Sequence, residues 1–247
     1  MFQLDILTLF PKIINSYTEE SIIKRAQVKK LVKISAHDIR DFSSEKHCKV
    51  DDRPYGGGAG MVMMALPILR AVDYIKKTAK TKPKIIILSA KGKQFNQKIA
   101  QDLSRKHKHL ILISGRYEGI DERVKKILSA QSGSALGGKA EEISIGPFVM
   151  TDGDIGALAV TSAVVRLIPG VLGNEESLAE ESFSKAAIRN YTALRLYGST
   201  AFTEYPHYTR PEILKYKGKN YAVPKILLTG DHKKIQAWRT KESANID

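Results

Sequence analysis

Apolar positions along this chain follow two periods that alternate. Short apolar runs stand at residues 4–9, 31–35, 85–89 and 110–114, and runs of that length bounded by turn residues predict strands. Between the last two, Phe95, Ile99 and Leu103 recur every fourth residue, which places them on one face of a helix. Residues 67–77 and 155–168 also predict helices. The second is apolar nearly all round, so it is expected to be buried. Strand and helix in alternation predict an α/β fold with a mainly parallel sheet.

Two stretches break the pattern. Residues 130–139 (AQSGSALGGK) are small, rich in Gly and Ser and without period, and predict a surface loop. From 170 to about 205 the chain is polar and mixed, with acidic pairs at Glu175/Glu176 and Glu180/Glu181. The expected organisation is one large domain over 1–168, a linker over 169–205 and a small basic module over 206–247. No internal repeat is present.

Composition narrows the classes. The chain has 247 residues, 43% of them hydrophobic and 27% charged, as in an ordinary globular protein. Forty Lys and Arg against 26 Asp and Glu give a net charge of +14, an excess that favours a polyanionic partner, nucleic acid first. From 76 to 108 every charged side chain but Asp102 is cationic; phosphate contact and a solvated helix face account for that run about equally well. The single cysteine, Cys48, excludes an internal disulfide framework and a multi-cysteine zinc site. MFQLDILTLF carries Asp5 inside its apolar run, unlike a signal peptide, and no apolar run nears the ~18–20 residues of a spanning helix. The expectation is a cytoplasmic protein that does not engage a membrane.

Familiar nucleotide-binding signatures are absent. No G-x-x-x-x-G-K-[ST] occurs, and PYGGGAGM at 54–61 lacks both the G-x-G-x-x-G spacing and a strand just before it. His47 and Cys48 have no further ligands at metal-binding spacing. What remains is a set of glycine-containing turns at predicted strand ends: LSAKG at 88–92, GRYEGIDER at 115–123 and ISIGPFVMTDGD at 143–154. In an open α/β sheet, ligands bind in the crevice at the carboxyl ends of the strands, so three such turns could surround one small molecule.

These residues resemble a known family, the bacterial tRNA (guanine-N1)-methyltransferases of the TrmD type. The resemblance rests on VDDRPYGGGAGM at 50–61, GRYEGIDER, ISIG at 143–146, RLIPGVLG at 166–173, PHYTRPE at 206–212 and VPKILLTGDHKKIQAWR at 223–239. It implies a SPOUT-type α/β domain tied in a deep trefoil knot, a small, shortened helical C-terminal domain that contacts tRNA, and a homodimer with active sites at the subunit interface. It further implies that S-adenosylmethionine is the methyl donor, with Mg2+ as a candidate second cofactor and no bound metal site assigned. The partner implied is the anticodon arm of tRNA, methylated on N1 of the guanine at position 37.

The same resemblance implies donor contacts at Leu88, Ser89, Ala90, Gly92, Gly115, Tyr117, Glu118, Ser144, Ile145, Gly146, Phe148, Met150, Asp152 and Gly153, and substrate contacts at Asp51, Arg53, Gly60 and His207. Guanine N1 must lose a proton before it attacks, which requires a general base, and the negative charge that builds toward O6 requires a fixed cation. Glu181 stands where the family has the aspartate of a D-S-F triplet, and Arg166 matches the family's arginine. The chain departs from the family pattern at Glu181 itself, at Asp152 in place of a glycine, at Pro147 in place of an aspartate, and in longer loops at 130–139 and after Phe183. Two other readings are an RNA-binding SPOUT-like protein with weak or lost catalysis and a related methyltransferase acting on ribosomal RNA.

Overall fold

The computed structural model describes residues 1–57, 59–130, 140–173 and 206–242. The chain divides into two compact units, 1–173 and 174–247. The first unit takes in 169–173, which the sequence pattern placed in the linker. Val171 packs against the core there, and its N–H donates to the Ile168 carbonyl at 3.1 Å.

The first unit is built on five strands: β1 (Phe2–Thr8), β2 (Val32–Asp38), β5 (Lys84–Gln94), β6 (His109–Ile113) and β7 (Glu141–Ser144). Their order is β2-β1-β6-β5-β7, and every neighbouring pair is parallel. A short antiparallel pair, β3 (Asp51–Asp52) and β4 (Val62–Met63), lies outside this sheet. Helices cover both faces: α1 (Pro11–Thr18), α2 (Ser21–Val28), α3 (Ala65–Thr78), α4 (Gln97–Lys106), α5 (Glu122–Ala130) and α6 (Asp154–Val165). Parallel strands covered on both sides have no polar face to alternate with, which is why they read as continuous apolar runs.

Alternate residues of each strand feed two cores. Leu4 and Ile6, Ile86 and Leu88, and Leu110 and Leu112 pack with Ala100 and Leu103 of α4 and Val160 and Val164 of α6. On the other face Leu7, Ile85, Ile87, Ile111 and Ile113 pack with Ile68, Val72 and Ile75 of α3 and with Val124 and Leu128 of α5. The α6 expectation needs correction, because the helix is not buried all round. Ile155 is 54% exposed and Ala159 is exposed too, although Val160 and Val164 are fully buried. One apolar side of this helix is therefore left open.

The second face of the sheet also holds a polar cluster that neither period nor motif predicts. Asp5 on β1 accepts from Nε2 of His37 on β2 and from Nε2 of His109 on β6, both at 2.6 Å, and from Gln3 at 2.9 Å. Burial alone pushes this carboxyl up, but the hydrogen bonds from His109 and His37 outweigh it and hold its pKa well below the usual carboxylate range. A buried carboxylate with three donors thus laces three adjacent strands.

Among its described residues the second unit holds an antiparallel hairpin, β8 (Ile213–Tyr216) and β9 (Lys219–Ala222), then a helical turn at Lys225–Leu228 and α7 (His232–Glu242). The helical module implied by the resemblance therefore opens with a hairpin. Lys217 and Gly218 have φ of 48° and 73°, the two positive values a two-residue hairpin turn with the native twist demands. Tyr208 and Trp238 pack with ring centroids 6.4 Å apart.

Because folding lowers the Asp5 pKa, the stability it contributes is fully present above the unfolded value of about 4 and is lost as pH falls below it toward the depressed folded value. Asp5→Asn is expected to lower stability by about 2–4 kcal/mol at neutral pH, because it weakens bonds to buried donors. Urea unfolding at pH 7 and at about pH 2.5 checks this, and the gap between the variant and the native protein should narrow at the lower pH.

Candidate functional site

A cleft of about 420 Å³ opens at the carboxyl ends of β5, β6 and β7, within the usual range for a small-molecule site. The strand order puts it there. The chain moves inward from β5 to β6 and then back outward past β5 to β7, and such a reversal leaves a crevice between diverging loops. Residues 87–91, 115–120, 142–146 and 148–153 line it, together with Gly156.

The β5 wall arises from an irregularity in pairing. Leu88 and Lys93 both register with Ile143 of β7, so residues 89–92 leave the ladder and arch over the cleft. Gly92 closes this arch. A Cβ there would fall 2.5 Å from the Ile143 nitrogen, so only glycine lets the two backbones approach. The structure therefore uses Gly92 in the arch and leaves it off the cleft wall.

The β6 wall is the loop of GRYEGIDER. Tyr117 is held at φ 58°, a left-handed conformation that costs a non-glycine residue about 1–2 kcal/mol. Hydrogen bonds from the Glu118 N–H to the Met61 carbonyl at 3.0 Å and from the Met63 N–H to the Gly119 carbonyl at 2.9 Å hold the loop. Gly60 lies directly under Glu118, and a Cβ there would meet the carboxylate oxygen at 2.5 Å. Asp51, partly buried, stands in β3, and the exposed Arg53 follows that strand; neither they nor Gly60 lines the cleft.

The third wall is fastened by one arginine. Nη2 of Arg116 donates to Oδ2 of Asp152 at 3.0 Å and to Oδ2 of Asp154 at 3.4 Å, while its guanidinium lies 4.2 Å from the centre of the Phe10 ring. Asp154 is fully buried and also accepts from the Thr8 hydroxyl at 2.7 Å. Asp152 uses its other oxygen to accept from the Asp154 N–H at 2.9 Å, which satisfies the first free N–H of α6. The Gly153 N–H donates to the Gly115 carbonyl at 2.8 Å. Arg123, by contrast, pairs with its near neighbour Asp121, at 2.5 Å between Nη2 and Oδ2. GRYEGIDER is thus partly self-paired and partly a tie to other loops.

At the rim, Lys91 donates to Glu122 at 2.7 Å and lies 3.8 Å from Glu142, which also accepts from Lys125. The hydrogen bond to Glu122 raises the Lys91 pKa, with burial opposing it. The sequence marked Lys91 only as part of a cationic run and a glycine-containing turn, and gave no role to Glu142, Thr8, Phe10 or Asp154. A carboxylate opening an otherwise apolar helix was the one signal available for Asp154.

Every other residue named as a donor contact lines the cleft: Leu88, Ser89 and Ala90; Gly115, Tyr117 and Glu118; Ser144, Ile145 and Gly146; Phe148, Met150, Asp152 and Gly153. Arg166 is elsewhere. It follows the last residue of α6, a helix that begins at the cleft and is about 18 Å long at 1.5 Å per residue, so a single chain does not unite the two. His207 is exposed in the second unit. Glu181 and Glu180 lie outside the described residues. Among the described residues no three His, Cys, Asp or Glu side chains are grouped to hold a metal ion, and no helix is long and apolar enough to cross a membrane.

The profile of the family described as tRNA (Guanine-1)-methyltransferase TrmD matches residues 2–246. This chain belongs to the TrmD family. It is 46% identical over 243 residues to a tRNA (guanine-N(1)-)-methyltransferase of Dictyoglomus turgidum, covering 98% of this chain and 85% of the relative. A protein of the same name from Clostridioides difficile is 45% identical over 242 residues, covering 98% and 92%. Another, from Carboxydothermus hydrogenoformans, is 45% identical over 241 residues, covering 98% and 82%. Membership in the TrmD family accounts for the order of the motifs along the chain.

Arg116→Met leaves the buried Asp154 carboxylate without its cation and is expected to cost about 3–5 kcal/mol. Asp152→Asn, which keeps an acceptor for the Asp154 N–H, is expected to cost about 1 kcal/mol. Urea midpoints give the order of the two; equal losses would remove Asp154 from the centre of the clamp.

Proposed function

We propose that this protein methylates N1 of guanine in tRNA, at position 37 beside the anticodon, with S-adenosylmethionine as donor. The observation that carries this reading is a cleft lined by the loops after β5, β6 and β7, in a chain that the TrmD family profile matches over residues 2–246. The cleft suits the donor: residues 89–91 and the loops 115–118 and 144–153 line it, with the apolar Leu88, Ile145 and Phe148 and the acidic Glu118 among them. When bound, the donor supplies a methyl group on a sulfonium, an electrophile that needs no further activation. The chain's residues then have to position the base and manage a proton.

In this reading Glu181 takes the proton from N1 and Arg166 stabilises the charge that develops at O6. Asp51, Arg53, Gly60 and His207 bear on the tRNA. Mg2+ is assigned no residues. The fold is of SPOUT type with a deep trefoil knot, a reading supported by the return of residues 145–153 across the ends of β5 and β6 before α6 joins the opposite core. The working form is a homodimer, in which the partner's copy brings Arg166 to a cleft it does not reach within one chain. The open apolar side of α6, with Ile155 and Ala159, supports such a contact. The enzyme acts on tRNA in the cytoplasm.

Transfer of labelled methyl to unmodified tRNA, with the product base identified, tests the function; absence of N1-methylguanine, or methylation confined to ribosomal RNA, overturns it. Removal of a general base costs about 10²- to 10⁴-fold in rate, so Glu181→Gln should lose at least the smaller factor while donor affinity measured by calorimetry is retained. Its residual rate should climb with pH as guanine ionises unaided, and Glu180→Gln should stay close to the native rate. Sedimentation at micromolar concentration is expected to give roughly twice 27.4 kDa.

A further inference from the structure

We propose that the rim of the sheet opposite the donor cleft is a docking surface for the phosphate backbone of structured RNA, separate from the place where the acceptor guanine reacts. It draws on the cationic run between 76 and 108, which the fold distributes to opposite edges of the five-stranded sheet, one at each end of its strands. Lys91 goes to the cleft. Lys77, Lys80 and Lys82 leave the end of α3 and enter β5, while Arg105, Lys106 and Lys108 leave the end of α4 and enter β6. Since β5 and β6 are parallel neighbours, both entrances lie at the same edge, about 17 Å from the cleft along the five residues of β6.

Register brings the two groups together. Lys84 pairs with Leu110, and Lys82 and Lys108 each stand two residues upstream of that pair. The two entrances are also laced to each other and to β1: Nδ1 of His109 lies 3.4 Å from the Thr81 carbonyl, and the Gln3 N–H donates to the Lys108 carbonyl at 2.9 Å. All six cationic side chains are exposed. Lys106 has an ion pair with Asp102 at 3.0 Å, a carboxylate that Arg105 also influences, and Lys84 of β5 pairs with Glu141; among the described residues the other five of the six have no ion pair. His107 sits among them, and its pKa is held down by burial first and then by the charge of Lys84.

This arrangement separates the two readings of the run. A solvated helix face would follow one helix and alternate with carboxylates. Here the cations come from two helix ends and two loops; the helix dipoles favour those in the last turns, but Lys80, Lys82 and Lys108 lie beyond both helices. A partner carrying closely spaced negative charges would engage them and release counterions, as a nucleic acid backbone does. RNA is the occupant because the protein's proposed substrate is RNA, and the proposal rests on that reading to this extent.

The test is binding of a fluorescent RNA duplex that contains no anticodon loop, measured over a range of salt concentrations. The native protein is compared with the triple variants K80E/K82E/K108E and K80Q/K82Q/K108Q, with circular dichroism and donor calorimetry confirming that each is folded. With about 0.9 units of slope in log K against log salt for each phosphate contact, the neutral variant should lose about two to three units, and the reversed variant at least as much. The rate of tRNA methylation at saturating tRNA should be unchanged. An unchanged salt slope in folded variants overturns the proposal, as does loss of binding to phosphatidylglycerol vesicles alone, which would assign the rim to a membrane surface. A native protein that binds the duplex but fails to methylate tRNA would count against the proposed reaction and leave the docking surface standing.

Discussion

A charge taken fully out of water has to be matched where it lies, and in this fold that charge is the Asp154 carboxylate. It opens α6 and is held by the Thr8 hydroxyl at the end of β1 and by Arg116 in the loop after β6. Three segments far apart in the chain are thereby fixed to a single point. The cleft wall at 115–120 and the wall at 148–153 both hang from it, and Asp152 joins them by pairing with the same guanidinium while accepting from the first N–H of α6. A buried ion pair is a poor source of net stability, but removing one partner is costly. Its effect here is to give loops of glycine and small residues one arrangement instead of several.

Much of the fold could be read from period alone. Residues 4–9, 31–35 and 110–114 fall on β1, β2 and β6; for the central β1 and β6, burial on both faces leaves little polar alternation to confuse the pattern. Residues 67–77 and 155–168 fall on α3 and α6. What escaped depends on contacts between distant segments. The Asp5–His37–His109 cluster needs three strands to meet before it exists, and β7 is too short, at four residues, to give a pattern. The open side of α6 was invisible because an apolar helix reads the same whether protein or solvent faces it.

The site was legible as a set of loops and not as a set of roles. Thirteen of the fourteen residues named for donor contact line one cleft, because glycine-containing turns after parallel strands necessarily gather at one edge. Gly92 is the exception, since glycine serves close backbone approach as readily as ligand access. Asp152 illustrates the other limit. A carboxylate in a cleft loop suggests a ligand contact, yet its oxygens are already engaged by Arg116, by the Thr151 hydroxyl and by the Asp154 N–H. Its identity states a charge, and only its neighbours state what the charge is for.

The arch in β5 has a consequence for how such a cleft can change. Because Leu88 and Lys93 share one partner on β7, the four residues between them contribute nothing to the ladder, and the strand resumes as though they were absent. Their number and chemistry can therefore vary while the sheet on either side keeps its partners, provided the closing residue still admits the β7 backbone. Within an otherwise rigid layer, this is a short stretch of chain whose length is free. A lineage, or an engineer, could reshape one wall of the cleft there by insertion, with the core left as it is.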